Sequence, residues 1–179
     1  VTTLTIDDLN AIQASIPTIR VWDPMLLAGT REIVYQGNSS TVRVMGHSET
    51  YEDVWSRGAS RGALFNEAEV RTSARVALVG ETIVEEVFQG ADPIGLQIRI
   101  GSVPFEVIGV LEEKGDAAFI RPDDQVFIPL STAQFRVMGG RDRLNAIYAK
   151  TATTAELDEA FAAIDRIMRR EHRIRPGEE

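Results

Sequence analysis

The chain has 179 residues, a net charge of −8, 44% apolar and 26% charged residues, and no cysteine. A globular chain of this size buries roughly 68–70% of its unfolded surface, so it can hold a core of its own. The missing cysteines exclude a disulfide scaffold, thiolate metal ligands and a cysteine nucleophile, and the acidic balance argues against nucleic acid as a partner.

Divided at residues 58 and 140, the three parts carry four basic against seven acidic side chains, seven against twelve, and eight against eight. The acidity therefore sits in the first two parts. The last part holds a cluster, Arg166, Arg169, Arg170, Arg173 and Arg175, which reads as a solvated helix face. No apolar run approaches the 18 or so residues of a membrane span, and no signal-peptide pattern opens the chain. It begins at Val1 without an initiator Met, as a piece of a longer protein would.

In chain order, LTIDDLNAIQASIP predicts a helix capped by Thr5, with Asp8 at its third position, a Leu4 and Leu9 staple, and a stop at Pro17. REIVYQGNSSTVRVMG predicts a hairpin turning through Gly37-Asn38-Ser39-Ser40, with Val42 and Val44 on one face. SETYEDVWSRG predicts a short helix ended by Gly58, and RGALFNEAEV a turn with a cap at Asn66. ARVALVG is a short buried strand leading into the helix ETIVEEVFQG, where Ile83, Val84, Val87 and Phe88 share an apolar face and Gly90 supplies a left-handed end.

A turn at Asp92-Pro93-Ile94-Gly95, with Pro93 at its second position, precedes strands over 96–100 and 105–111 joined at Gly101-Ser102. DDQVFIPLSTAQFRVMGG predicts a strand and a helix capped by Ser131 or Thr132 and ended at Gly139-Gly140. LNAIYAKT is a strand. The closing helix starts from a Thr153 and Glu156 capping pattern, and Leu157, Phe161, Ile164 and Met168 form its packing face. On that reading Phe161 is buried, and its replacement by Ala costs roughly 3–5 kcal/mol.

These elements predict an α+β protein: a discontinuous strand-helix domain from residues 1–58 and 141–179, with a β-rich subdomain, residues 59–140, inserted in it.

Candidates for chemistry are few. Asp123-Asp124 reads as a polar turn, because neighbours on a strand face opposite ways and cannot share a proton or a metal. His47 and His172 lie far apart in the chain with no ligand motif beside them. VALVGETIVEEVF has the strand, glycine and helix of a phosphate loop but lacks its lysine and further glycines, and Glu81, Glu85 and Glu86 would repel an anion. No serine has activating partners at a known spacing. No catalytic residue, cofactor ligand or metal ligand is assigned, and a non-catalytic protein is expected. Trp22, Tyr51 and Trp55 are core residues on this reading, or line a pocket if the chain is a soluble small-ligand or peptide-binding domain.

Taken in order, LTIDDLNAI, RVALVGETIVEEVF, ADPIGLQIRIG, PFEVIGVLEEKG, DDQVFIPLSTAQ and the closing strand and helix resemble the extracytoplasmic core domain of MacB-type, FtsX-like ABC transporter permeases. The likeness is weakest over residues 18–62. It implies a porter-like outer part with a strand-rich insertion, placed outside the cytoplasmic membrane between two transmembrane helices and in the periplasm where the cell has an outer membrane. It further implies a domain without catalytic residues, with ATP hydrolysis in another domain or chain, coupling that hydrolysis to export or to a partner outside the membrane. The implied partners are the parent's transmembrane helices and ATPase, and an adaptor or cell-surface protein. The full transporter would be a homodimer and the fragment a monomer. Both chain ends would lie near the membrane, with the closing helix, about 30 Å long, leading toward it.

Overall fold

The computed structural model describes residues 3–113, 124–140 and 142–173. Helix α1 (Ile6–Ser15) begins with a capping box in which Thr5 accepts from the Asp8 amide and Asp8 accepts from the Thr5 amide, and it ends just before Pro17. Strands β1 (Trp22–Tyr35) and β2 (Asn38–His47) form the expected hairpin, but the turn is two residues, Gln36-Gly37, rather than Gly37 to Ser40. Both residues have positive φ (45° and 83°), the conformation whose twist matches the flanking strands. Asn38 thereby becomes a strand residue.

The chain continues through α2 (Tyr51–Trp55), β3 (Ala59–Gly62), α3 (Glu67–Arg71), β4 (Val76–Val79) and α4 (Glu81–Phe88). Asn66 caps α3 in a second capping box. Helix α4 buries the four apolar residues expected of it, and it is reversed by Gln89 and Gly90 together, with φ of 55° and 77°. Strand β3 is absent from the sequence pattern because ASRG has no apolar alternation; it exists through pairing with β6, whose edge it covers.

Strands β5 (Gln97–Ile100) and β6 (Val103–Leu111) turn at Gly101-Ser102 as expected. Before β5, the Leu96 amide donates to the Pro93 carbonyl, so Pro93 opens the turn instead of standing second, and Gly95 takes the positive φ.

Then come β7 (Gln125–Pro129), α5 (Leu130–Thr132), a π-helical turn (Ala133–Val137), β8 (Ala146–Ala149) and α6 (Thr154–Glu171). Neither Ser131 nor Thr132 caps α5. Their hydroxyls donate to the carbonyls of Val70 and Ala74 and pin the segment beside α3. Of the Asp123-Asp124 pair, Asp123 lies outside the described residues.

Six strands pair in a closed circuit, β1–β2–β7–β4–β6–β5 and back to β1, with β2–β7 and β4–β6 parallel and the other pairs antiparallel. Closure leaves the six no free edges of their own. The first residues of β1, Trp22 to Met25, instead pair with β8. The longest strand thus pairs with three others, β2, β5 and β8, helped by Gly29 (φ 83°) at a register shift between Leu27 and Thr30. The main apolar cluster runs from Leu9 and Ile12 of α1, through Ile33, Val44, Ile98 and Val107, to Ala160 and Ile167 of α6.

Helix α6 packs through a face that only partly overlaps the one the periodicity suggested: Ile164 and Met168 meet the core, but Leu157 and Phe161 do not. Ala160 and Ile167 are buried (4% exposed each), with Ala163, Ile164 and Met168 beside them, whereas Leu157 and Phe161 are 40% and 64% exposed. A heptad-like count cannot choose between faces when small alanines are core residues. The corrected expectation is that Ile167→Ala lowers stability by about 2–5 kcal/mol while Phe161→Ala changes it by less than about 0.5 kcal/mol, read by urea denaturation.

Candidate functional site

Two constellations tie distant parts of the chain together. The first surrounds Asp23, which is 0% exposed near the start of β1. Its Oδ2 lies 2.7 Å from Nδ1 of His47, at the end of β2, and accepts from the Trp55 indole of α2 at 2.9 Å. Its Oδ1 accepts from the amide and the hydroxyl of Ser48 at 3.1 and 3.2 Å. With the carboxylate accepting throughout, the proton on this side of His47 belongs to Nδ1. The Ser48 hydroxyl meets Asp23 and not the imidazole, so the three residues do not form a proton relay to a serine.

Rings enclose the pair. His47 lies 4.7 Å from Tyr51 and 4.6 Å from Phe127 between centroids, and Trp55 meets Tyr148 of β8 at 4.6 Å. Arg57, 2% exposed, stands over Phe127 at 5.9 Å and donates to the Glu112 carbonyl at 2.8 Å. The Glu112 amide donates to the Gly58 carbonyl, and the Gly58 amide donates in return to the Glu112 carboxylate, each at 3.1 Å. The segment from Thr50 to Gly58 is therefore a strap between β1 and the end of β6. Burial pushes the Tyr51 phenol above its usual 10.0, an effect opposed by its hydrogen bond and attraction to Arg57. A folded-state value above the unfolded one favours the native state below pH 10, and that contribution is lost as pH rises through the folded value. Tyr51→Phe is expected to flatten the alkaline limb of the stability profile, measured by denaturant titration between pH 8 and 12.

The second constellation joins the ends of the described chain. Asp8, 3% exposed, lies 3.0 Å from Nε2 of His172 just past α6, and Leu4 bridges Leu144. Helices α1 and α6 run side by side, with the start of one beside the end of the other. The two histidines are thus not brought together; each is held by its own aspartate, a pairing across 24 and 164 positions that no local motif could reveal.

Among the described residues, no group of three His, Asp or Glu side chains is placed to hold a metal ion. Trp22 and Tyr51 are buried in packing and Trp55 is partly so, as the core reading expected. No described helix is long and apolar enough to cross a membrane.

In outline the protein is a mixed sheet closed on itself, flanked by a helix pair that sets the start of α1 beside the end of α6. The chain belongs to the MacB-like periplasmic core domain family, whose model matches residues 1–167. It is 31% identical over 171 residues to a macrolide export ATP-binding/permease protein MacB of Bdellovibrio bacteriovorus, covering 96% of this chain and 26% of the relative. It is 32% identical over 172 residues to a pyoverdine export ATP-binding/permease protein PvdT of Pseudomonas putida, covering 94% and 26%. The chain thus spans about a quarter of these relatives. Its fold matches the periplasmic region of MacB from Actinobacillus actinomycetemcomitans with a TM-score of 0.83 at 22% identity, over 96% of this chain and 76% of the other. It also matches the extracellular domain of the ABC-type transporter YknZ from Gram-positive bacteria, with a TM-score of 0.82 at 17% identity over 97% and 86%.

Proposed function

We propose that this domain is a non-catalytic coupling element of an ABC exporter, standing outside the cytoplasmic membrane and carrying ATP-driven movement of transmembrane helices to a cargo or partner. The observation that supports this most directly is the Asp8–His172 contact, which sets the start of α1 beside the end of α6, as an insertion between two membrane helices would require. On this reading helix α6, anchored through Ala160 and Ile167, acts as the lever. ATP hydrolysis belongs on this reading to another part of the transporter, and an adaptor or cell-surface protein to the far side. The division at residues 58 and 140 belongs to the same reading, as does a dimeric parent with a monomeric fragment.

The test uses the full transporter. A run of Gly-Ser residues inserted after Arg173 would uncouple α6 from the membrane helix on its C-terminal side. ATP hydrolysis should persist while export of the cargo falls at least tenfold. Unchanged export with the insertion in place would overturn the coupling role.

A further inference from the structure

We propose that the outer edge of β8 seats a further antiparallel strand, supplied by the stretch of the parent polypeptide that leads into Leu4, and that this strand also gives the exposed side of α6 its floor. Strand β8 pairs on one side with Trp22 to Met25 of β1, and among the described residues no strand lies on its other side. Its bonds fix the direction of the groups that remain. The Lys150 amide donates to the Val21 carbonyl, and Pro24, which has no N–H to give, stands opposite Ile147. Antiparallel pairing alternates, so Ala146 and Tyr148 turn their backbone groups to β1 while Ile147 and Ala149 turn theirs outward. Ile147 packs against the main apolar cluster and Tyr148 meets Trp55, so it is the side of the strand that is bare. Within Ala146–Ala149 there is no charge or proline to keep another strand away.

Continuity names the occupant. Leu144 and Asn145, just before β8, donate to different partners: Asn145 to the Met25 carbonyl of β1, and Leu144 to the Leu4 carbonyl at 2.8 Å. Leu4 therefore already stands on the outer edge, and its bridge to Leu144 is antiparallel. That direction carries the polypeptide ahead of Leu4 alongside Ala146–Ala149. A second copy pairing with β8 would meet Leu4 at the Leu144 end. Further chain exists in proteins of this fold, since the periplasmic region of MacB is matched over only 76% of its length.

Helix α6 shows the same incompleteness. The end of α1 lies on its Ala163 and Arg166 side. At 3.6 residues per turn Phe161 points about 160° away from Ala163, and Leu157 follows it on that side one turn earlier. These two are among the few large apolar side chains left in water, 64% and 40% exposed. A strand beyond β8 supplies the apolar surface they lack.

The experiment compares amide hydrogen exchange, read by NMR, in this chain and in the same chain extended by the about fifteen residues that precede it in its parent protein, enough for a strand of ordinary length. Ile147 and Ala149 should slow in the extended chain by at least roughly tenfold more than Ala146 and Tyr148 do. Ala149→Pro, which removes an outward donor and none that faces β1, should abolish the gain at Ile147. Phe161→Ala should lower the melting temperature of the extended chain by more than about 4 °C and that of the shorter chain by less than about 2 °C. Circular dichroism checks that each variant folds. Equal exchange in the two chains, a gain spread evenly over the four amides, or a gain that survives Ala149→Pro would overturn the proposal. So would protection of Ile147 and Ala149 that appears in the shorter chain and rises with its concentration, which would assign the edge to a second copy. None of these readouts involves ATP or export, so the coupling role stands or falls separately.

Discussion

Replacing Asp23 with Ala should lower the stability of this domain by about 3–6 kcal/mol and its melting temperature by roughly 6–24 °C. The carboxylate is the sole acceptor for His47 Nδ1 and the Ser48 amide, both buried, and it also takes the Trp55 indole. Each buried donor left without a partner costs about 1–3 kcal/mol, and alanine leaves a void that the rings of Tyr51 and Phe127 cannot fill. Asp23→Asn keeps one acceptor oxygen and should recover part of the loss. Asp53→Ala, at an exposed position of the same strap, should change stability by less than about 0.5 kcal/mol. Urea denaturation followed by tryptophan emission reads both stability and the exposure of Trp55. A midpoint unchanged in Asp23→Ala would show that the strap does not depend on this carboxylate.

Gly62→Ala is the second large effect, about 2–5 kcal/mol. Gly62 ends β3 with φ of 68°, and a Cβ there would stand 2.1 Å from the Ile108 carbonyl oxygen and 3.0 Å from the Gly109 Cα. The left-handed conformation accounts for about 1–2 kcal/mol, and the overlap with backbone, which cannot swing aside like a side chain, for the rest. Gly95 separates the two causes. Its φ is 82°, but nothing lies within 4 Å of the added Cβ, so Gly95→Ala should lose only about 1–2 kcal/mol. Thermal melts of the two variants should differ clearly; equal losses would mean that φ alone matters and that the β3–β6 approach is not tight.

Both positions were invisible from the chain itself. Asp23 lies in VWDPM, where nothing marks it as buried, and His47 comes 24 positions later. Gly62 lies in ASRG, which shows no strand pattern at all. What was legible was local. The caps at Thr5, Asn66 and Thr153, the buried face of α4 and the alternation of Ile98 and Ile100 all came through, because each is decided by residues within one or two turns of chain. The family was legible too, since it rests on the order of many short blocks and not on any single contact.

The amino-acid sequence by itself therefore determined where α1, α4 and α6 start, which strands are half-buried, and the absence of cysteine chemistry. Tertiary structure alone decided how the strands close into a circuit, which face of α6 is buried, and which aspartate holds each histidine. The reason is physical: caps and turns satisfy backbone groups within one turn of chain, whereas register, burial and buried hydrogen bonds depend on partners that folding brings from tens to more than a hundred positions away.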